Sequence, residues 1–256
     1  MRAGWRNPWG ETGKVIEFTA VPNIHYMHQA DLSFVGHIGE GLKTLSRGVS
    51  RRPVWKGSEH INVRNQLKSI FSGKNEWGPD AVIETVREIL PANGVATVDS
   101  GAHRILLSQL WECYEPRGLL QSTGLCTMGC AVPLAMGFQI ASPERPVVAF
   151  TGDAGLEMVL GELATLRDLK LPVVIVVFVD ESLALIELKQ RRLEMPNLGV
   201  YFGPTNFPKV AEALGGEGRW VSDKSDLFEA FENAFERQTF SLLACKIGYK
   251  VYDDRF

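Results

Sequence analysis

The stretch Pro146-Val147-Val148-Ala149-Phe150-Thr151-Gly152-Asp153-Ala154-Gly155 decides the fold. An unbroken apolar run that ends in Gly-Asp-Ala-Gly and passes into a helix-like segment reads as a strand buried on both faces, followed by a sharp turn. A second apolar run, 173–179, ends in Asp180, 27 residues after Asp153. Two strand ends that each deliver a carboxylate, with one helix between them, form a right-handed crossover. Such a crossover brings both C-terminal ends to the same edge of a parallel sheet. Read alone, Gly152-Asp153 is also a common strand-to-helix turn with aspartate as its N-cap.

Working outward, strand and helix patterns alternate from about residue 80 onward. Helices are predicted over 81–90, started by Pro79-Asp80, and over 105–113, 128–140, 156–169, 186–192, 207–214 and 224–237. Strands are predicted over 94–99, 147–151, 173–179, near Trp220-Val221, and over 242–247. Continuous apolar strands interleaved with helices imply an α/β, doubly wound parallel sheet covered on both faces. The first 75 residues differ, with one plausible strand over 14–20, a short helix over 39–45, a basic loop over 46–58 and a helix over 60–71. One strand and one short helix do not enclose a core. The division expected is therefore 1–75 and 76–256.

A helix start with accessible amides at Ala154 and Gly155, beside two carboxylates, suits a magnesium–diphosphate group. Diphosphate seeks backbone donors and the positive end of a helix, and glycine lets the backbone come close. Magnesium takes about six oxygens, usually shared among protein carboxylates, phosphates and water.

The residues from Gly152 to Ser182, with Met158, Glu162-Leu163 and Leu171-Pro172 between them, resemble the cofactor signature of thiamine diphosphate enzymes of the acetolactate synthase and 2-oxoacid decarboxylase family. The resemblance implies a thiamine diphosphate-binding fold and the cofactors thiamine diphosphate and Mg²⁺. It implies metal ligation by Asp153, Asp180 and the Ser182 carbonyl, and cofactor contacts from Gly152, Ala154, Gly155 and Leu183. Where the family usually has Asn-Asn or Asn-Asp, this chain has Val179-Asp180.

Two further segments resemble the family. Asp99-Ser100-Gly101-Ala102-His103-Arg104 ends a predicted strand, where the family places groups that touch the diphosphate. Gly101 and Ala102 would offer amides and His103 one ring nitrogen, the other reading of His103 being a partly buried histidine at a helix start. Ser122-Thr123-Gly124-Leu125-Cys126-Thr127-Met128-Gly129 resembles the glycine-rich segment, with Pro133 after it. There the resemblance implies that Met128 props the bent cofactor and that the Cys126 carbonyl, at a position where the family has glycine, accepts from the 4′-amino group. Read alone, Met128 is a core methionine.

Residues 1–75 resemble the last strand and helix of the family's central domain, through Ala20-Val21-Pro22 and Asp31-Leu32. The family also has a pyrimidine-binding domain, whose glutamate activates the cofactor. No counterpart of that domain is present here, so no catalytic residue is assigned to this chain. Glu157 and Glu162 lie on the phosphate-loop helix and are poor substitutes. The resemblance therefore implies an enzyme half acting on a small 2-oxoacid, completed by a pyrimidine-domain subunit, a homo-oligomer, or both. The competing reading is a non-catalytic cofactor-binding or degenerate module. A dinucleotide-binding protein is disfavoured, because no Gly-x-Gly-x-x-Gly follows the first strand.

Composition sets further bounds. The 256 residues carry a net charge of −3 with scattered basic residues, so no nucleic-acid stripe is expected. Arg47 with Arg51-Arg52 reads as a solvated cluster. No apolar run reaches about 18 residues, so no membrane span is expected, and the first eight residues lack a signal-peptide core. Cys113, Cys126, Cys130 and Cys245 lack metal-site spacing and read as buried, reduced thiols of a cytoplasmic protein. On the helix over 186–192, Lys189, Gln190 and Arg192 read as a solvated face, with a substrate anion as the alternative partner.

Overall fold

The computed structural model describes residues 12–24, 29–50, 57–73, 77–232, 234–253 and 255. The basic pair Arg51-Arg52 lies outside them. Two compact units divide the chain, 1–59 and 60–256.

In the first unit, β1 (Ile16–Thr19) pairs in parallel with β2 (Leu32–Val35), Ile16 opposite Leu32, and α1 (Ile38–Ser46) follows. Phe18 and Phe34 stack across the pair with ring centroids 5.1 Å apart. The Asp31 carboxylate anchors the start of the pair, accepting from Lys14 Nζ at 2.7 Å and the Val15 amide at 2.8 Å. The sequence predicts only one strand here. β2 escapes because four residues between Asp31 and Gly36 carry too little periodicity to register.

The second unit runs α2 (Glu59–Phe71), α3 (Pro79–Ile89), β3 (Val95–Val98), α4 (Ala102–Leu110), β4 (Leu119–Gln121), α5 (Ala131–Ala141), β5 (Val147–Gly152), α6 (Asp153–Glu157) and α7 (Glu162–Asp168). It continues through β6 (Val174–Val179), α8 (Ala184–Arg192), α9 (Phe207–Ala213), β7 (Glu217–Val221), α10 (Lys224–Phe231), β8 (Ser241–Lys246) and a 3₁₀ turn (Tyr249–Tyr252). Its six strands form one sheet, all pairs parallel, in the order β4-β3-β5-β6-β8-β7.

Strand alternation builds two cores, one on each face. Val148 and Phe150 of β5 and Val174, Val176 and Phe178 of β6 face a core shared with α3, α4 and α10. Val147 and Ala149 of β5 and Ile175, Val177 and Val179 of β6 face the opposite core, shared with α5, α7 and α9. The period of two along a pleated strand enforces this division. The result is the doubly wound α/β sheet that the alternation predicts.

Three predictions of local structure are corrected. The helix predicted over 156–169 is two, α6 and α7, separated by turn residues 158–161. The helix predicted from residue 128 begins at Ala131, because Gly129 adopts φ +78°, which a helix excludes. Of the cysteines, which are all free, only Cys245 is buried; Cys113 is exposed and the other two are half-buried. β4 was not predicted, being three half-buried residues at the sheet edge.

Candidate cofactor site

The order of the strands makes the crevice. β3 hands the chain to α4 on one face of the sheet, whereas β5, its neighbour, hands the chain to α6 and α7 on the other. Connections that leave adjacent strands toward opposite faces open a cleft at the C-terminal edge, the usual ligand position in such sheets. The cleft here is lined by residues 100–103 after β3, Gly152–Gly155 after β5, and Asp180 with 182–186 after β6; Met128, Phe178 and Tyr252 complete the wall. Every cofactor-contact residue proposed from sequence lines it except Cys126.

Asp153 is 3 % exposed and more than a helix cap. Its Oδ1 accepts from the Ala154 amide at 2.8 Å, while Oδ2 reaches the next strand end and accepts from Asp180 N–H at 3.0 Å and Glu181 N–H at 2.7 Å. This cross-strand reach sets it apart from a simple N-cap, whose bonds stay within its own first turn. It also corrects one expectation: the Ala154 amide is engaged by Asp153. Glu181, the second of these donors and the residue before Ser182, sits at φ +54°, in the left-handed region. Strain of this kind in a non-glycine residue costs about 1–3 kcal/mol and gathers at functional sites.

The loop after β6 is braced from outside. Ser182 forms an antiparallel bridge with Tyr201, through Leu183 N–H to the Val200 carbonyl at 2.8 Å and Phe202 N–H to the Glu181 carbonyl at 3.3 Å. In that register the bridging bonds come from the neighbours of Ser182, so its own N–H and C=O point away from Tyr201. The N–H donates to Asp180 Oδ1 at 3.1 Å. The buried Ser182 hydroxyl has no hydrogen-bond partner among the described residues.

Two acids share this corner at an electrostatic cost. Burial raises the Asp153 pKa above its ordinary value, and burial followed by repulsion from Asp153 pushes Asp180 up to about 8. Tyr252, from the 3₁₀ turn, is raised by burial and then by both carboxylates. A divalent cation would remove the repulsion. No group of three or more His, Cys, Asp or Glu side chains that could by themselves hold a metal ion occurs among the described residues. The donors are instead two carboxylates and a backbone carbonyl, a set that suits a hard cation sharing its remaining sites with phosphate oxygens and water. The acids and the unpartnered Ser182 hydroxyl thus fit a bound metal–diphosphate group.

Asp99 organises the other wall. It is 1 % exposed; Oδ1 lies 2.8 Å from His103 Nε2, and Oδ2 accepts from Gly129 N–H at 2.7 Å and Thr151 Oγ1 at 3.0 Å. One carboxylate therefore ties together the strand ends of β3 and β5 and the glycine-rich loop. Gly155 is required beside it, because a Cβ there would overlap Asp99 Oδ2 and sit 2.9 Å from Thr151 Oγ1. His103 stacks on Phe178 with centroids 5.4 Å apart.

Cys126 has φ +54°, which gives a physical reason for the glycine its position has in the resembling family. Its amide donates to Ser122 Oγ at 3.2 Å, and its sulfur lies 3.5 Å from Arg104 Nη1. Val179 is 4 % exposed and packs in the core on the α5, α7 and α9 side, so it leaves no gap beside Asp180. Glu157 bonds to Thr205 Oγ1 outside the cleft, and Gln190 is occupied by the backbone of Leu198. Sequence reasoning did not select Asp99 or Tyr252. The carboxylate at the end of a strand was a usable signal for Asp99; nothing local marks Tyr252.

Residues 99–245 match the family model described as thiamine pyrophosphate enzyme, C-terminal TPP binding domain, TPP being thiamine diphosphate. The chain is 24 % identical over 238 residues to an acetolactate synthase of Bacillus subtilis (strain 168), covering 90 % of this chain and 41 % of that protein. It is 28 % identical over 220 residues to the acetolactate synthase isozyme 3 large subunit of Escherichia coli (strain K12), covering 81 % and 38 %. Over 147 residues it is 32 % identical to a probable acetolactate synthase large subunit of Methanococcus aeolicus, covering 56 % and 24 %. The chain thus spans less than half the length of these relatives. The family match covers more than half of this chain and includes every strand end that lines the cleft, and the chain belongs to the thiamine pyrophosphate enzymes, whose C-terminal TPP-binding domain it carries.

Proposed function

We propose that this chain is the magnesium- and thiamine diphosphate-binding half of an acetolactate synthase-like enzyme that acts on 2-oxoacids, as a lyase or transferase. The observation that carries this reading is the convergence of Asp153, Asp180 and the outward-facing Ser182 carbonyl in one cleft. Asp153 and Asp180 each supply a carboxylate oxygen to Mg²⁺, and Ser182 supplies its carbonyl. Gly101, Ala102 and His103 line the wall that receives the diphosphate, and Met128 supports the rings. When bound, thiamine diphosphate supplies a nucleophilic carbon for a 2-oxoacid carbonyl and an electron sink for decarboxylation.

No glutamate lines the cleft among the described residues. The carboxylate that activates the cofactor is therefore assigned to a pyrimidine-domain partner, a separate subunit or a second chain. The residues present here bind, orient and shield; they do not supply the base.

Calorimetric titration tests the assignment. Thiamine diphosphate should bind only with a divalent cation, and Asp153→Ala should abolish binding, since it removes a metal oxygen and the acceptor for the Asp180 and Glu181 amides. Equal binding in EDTA would sink it. Asp180→Asn should keep binding with weaker metal affinity.

A further inference from the structure

We propose that Cys126 and Cys130 form a redox couple in the glycine-rich loop, and that their oxidation to a disulfide deforms the Met128 wall of the cleft and weakens cofactor binding. The disulfide itself needs no ligand. Only its effect on binding rests on the cofactor reading above.

Both thiols are free and half-buried, so an oxidant reaches them while the loop keeps them close to one residue, Ser122. The Cys126 thiol donates to the Ser122 carbonyl at 3.4 Å, and the Cys126 amide donates to Ser122 Oγ at 3.2 Å. The Cys130 sulfur is turned toward the Ser122 backbone N–H and lies in the field of Arg104. Arg104 Nη1 donates to the same Ser122 carbonyl at 3.2 Å and to Cys126 Sγ at 3.5 Å. Between the cysteines the chain turns at residues 128–129, with Gly129 at φ +78°. A turn of this kind holds its first and fourth Cα atoms within about 7 Å, which folds Cys130 back toward the Cys126 side of the loop. Cys126 also keeps a side chain at φ +54°, a backbone strain that glycine would avoid. The other two cysteines lack this setting, Cys113 being exposed and Cys245 buried in β8.

The step balances with hydrogen peroxide as the oxidant. The Cys126 thiolate, facing the Arg104 guanidinium, attacks one peroxide oxygen. The S–O bond forms, the O–O bond breaks, and the departing hydroxide takes up the thiol's proton as water. Cys130 sulfur then attacks the sulfenic sulfur; the S–S bond forms, the S–O bond breaks, and a second water leaves with the Cys130 proton. Two electrons pass from the sulfurs to the peroxide. Burial raises the Cys130 pKa, which suits it to the second role. A dithiol reverses the bridge by exchange.

The bridge acts on the cleft through its size. A disulfide holds its Cα atoms about 4.4–6.8 Å apart. Joined at 126 and 130, it closes a ring that contains Met128 and Gly129. Gly129 N–H is fastened to Asp99 at 2.7 Å, and Cys130 is the N-cap of α5. Closing a ring against those two anchors displaces what precedes them, and Met128 lines the cleft.

The test compares the full chain reduced and after treatment with hydrogen peroxide, each blocked with iodoacetamide and mapped by peptide mass spectrometry. Oxidation should give a peptide lighter by two hydrogens and unalkylated at both Cys126 and Cys130, while Cys113 is alkylated. Cysteines that stay alkylatable, or that gain oxygen without joining, would overturn the proposal. Calorimetric titration with thiamine diphosphate and magnesium should show affinity falling about tenfold or more on oxidation. Dithiothreitol should restore it, which separates the disulfide from methionine sulfoxide at Met128. Cys130→Ser should bind as the reduced wild type does and ignore peroxide; if that variant does not fold, the wild type before and after dithiothreitol decides the matter. A mapped disulfide that leaves affinity unchanged would overturn the proposed effect on the cleft. Failure of the reduced wild type to bind would instead overturn the cofactor reading, and the mapped peptide would still decide the redox couple.

Discussion

At Asp180, burial and the neighbouring Asp153 carboxylate act in the same direction, raising the pKa to about 8. In the unfolded chain an aspartate titrates near 3.9. Between these values the folded state keeps a proton that the unfolded state has released, so stability falls as pH rises from about 4 to 8. Thermal melts of the metal-free chain should therefore show Tm dropping across that window. Asp180→Asn should flatten the drop, and Mg²⁺ should raise Tm more at pH 8 than at pH 5; a wild-type Tm independent of pH would contradict the electrostatics. The two acids were legible in the sequence because each ends a long apolar run at a fixed interval. The partners of Asp99 were not, because Gly129 and Thr151 meet it through strand order, 30 and 52 residues away. Tyr252 is less legible still, since only the path of the chain after β8 brings its ring to the cleft.

Among elements, the long buried strands were legible and the short ones were not. β5 and β6 carry six residues each and almost no polar side chain, whereas β2 and β4 have four and three. The split between α6 and α7 was hidden because the apolar positions on either side of it continue without a break in pattern. α8 shows how an element beside the site is fixed. Glu187 is buried in it, bonded to Arg191 through both oxygens at 3.0 Å and to Asn197 at 2.8 Å, and Arg191 in turn pairs with Asp253 at 2.7 Å. The network joins α8, the 197–201 loop and the residue after Tyr252, so it ties the helix that begins at the cleft to the turn that carries Tyr252. Arg191 is 38 % exposed, and solvent weakens its share. Glu187→Ala should still cost about 1–3 kcal/mol in urea unfolding, because Asn197 and one face of Arg191 lose their partner. A loss below about 0.5 kcal/mol would show that the network is ornamental to stability.

For the whole molecule, exposed apolar side chains flank the cleft. Leu125 is 94 % exposed on the glycine-rich loop and Ile186 46 % exposed at the start of α8. Exposed apolar groups beside a site mark an interaction surface more often than chance. The proposed partner would cover them, so sedimentation velocity should report association of the purified chain with itself or with a pyrimidine-domain protein. Leu125→Asp should weaken that association with little change in Tm, and a stable monomer that decarboxylates a 2-oxoacid unaided would overturn the proposal. Among the described residues no helix is long and apolar enough to cross a membrane. The Ser182–Tyr201 bridge ties two loops by a pair of backbone bonds, so those loops cannot breathe independently. The amides of Leu183 and Phe202 should exchange with deuterium at a common rate set by one opening event, faster than those of β6, and a ligand that fastens either loop should slow both.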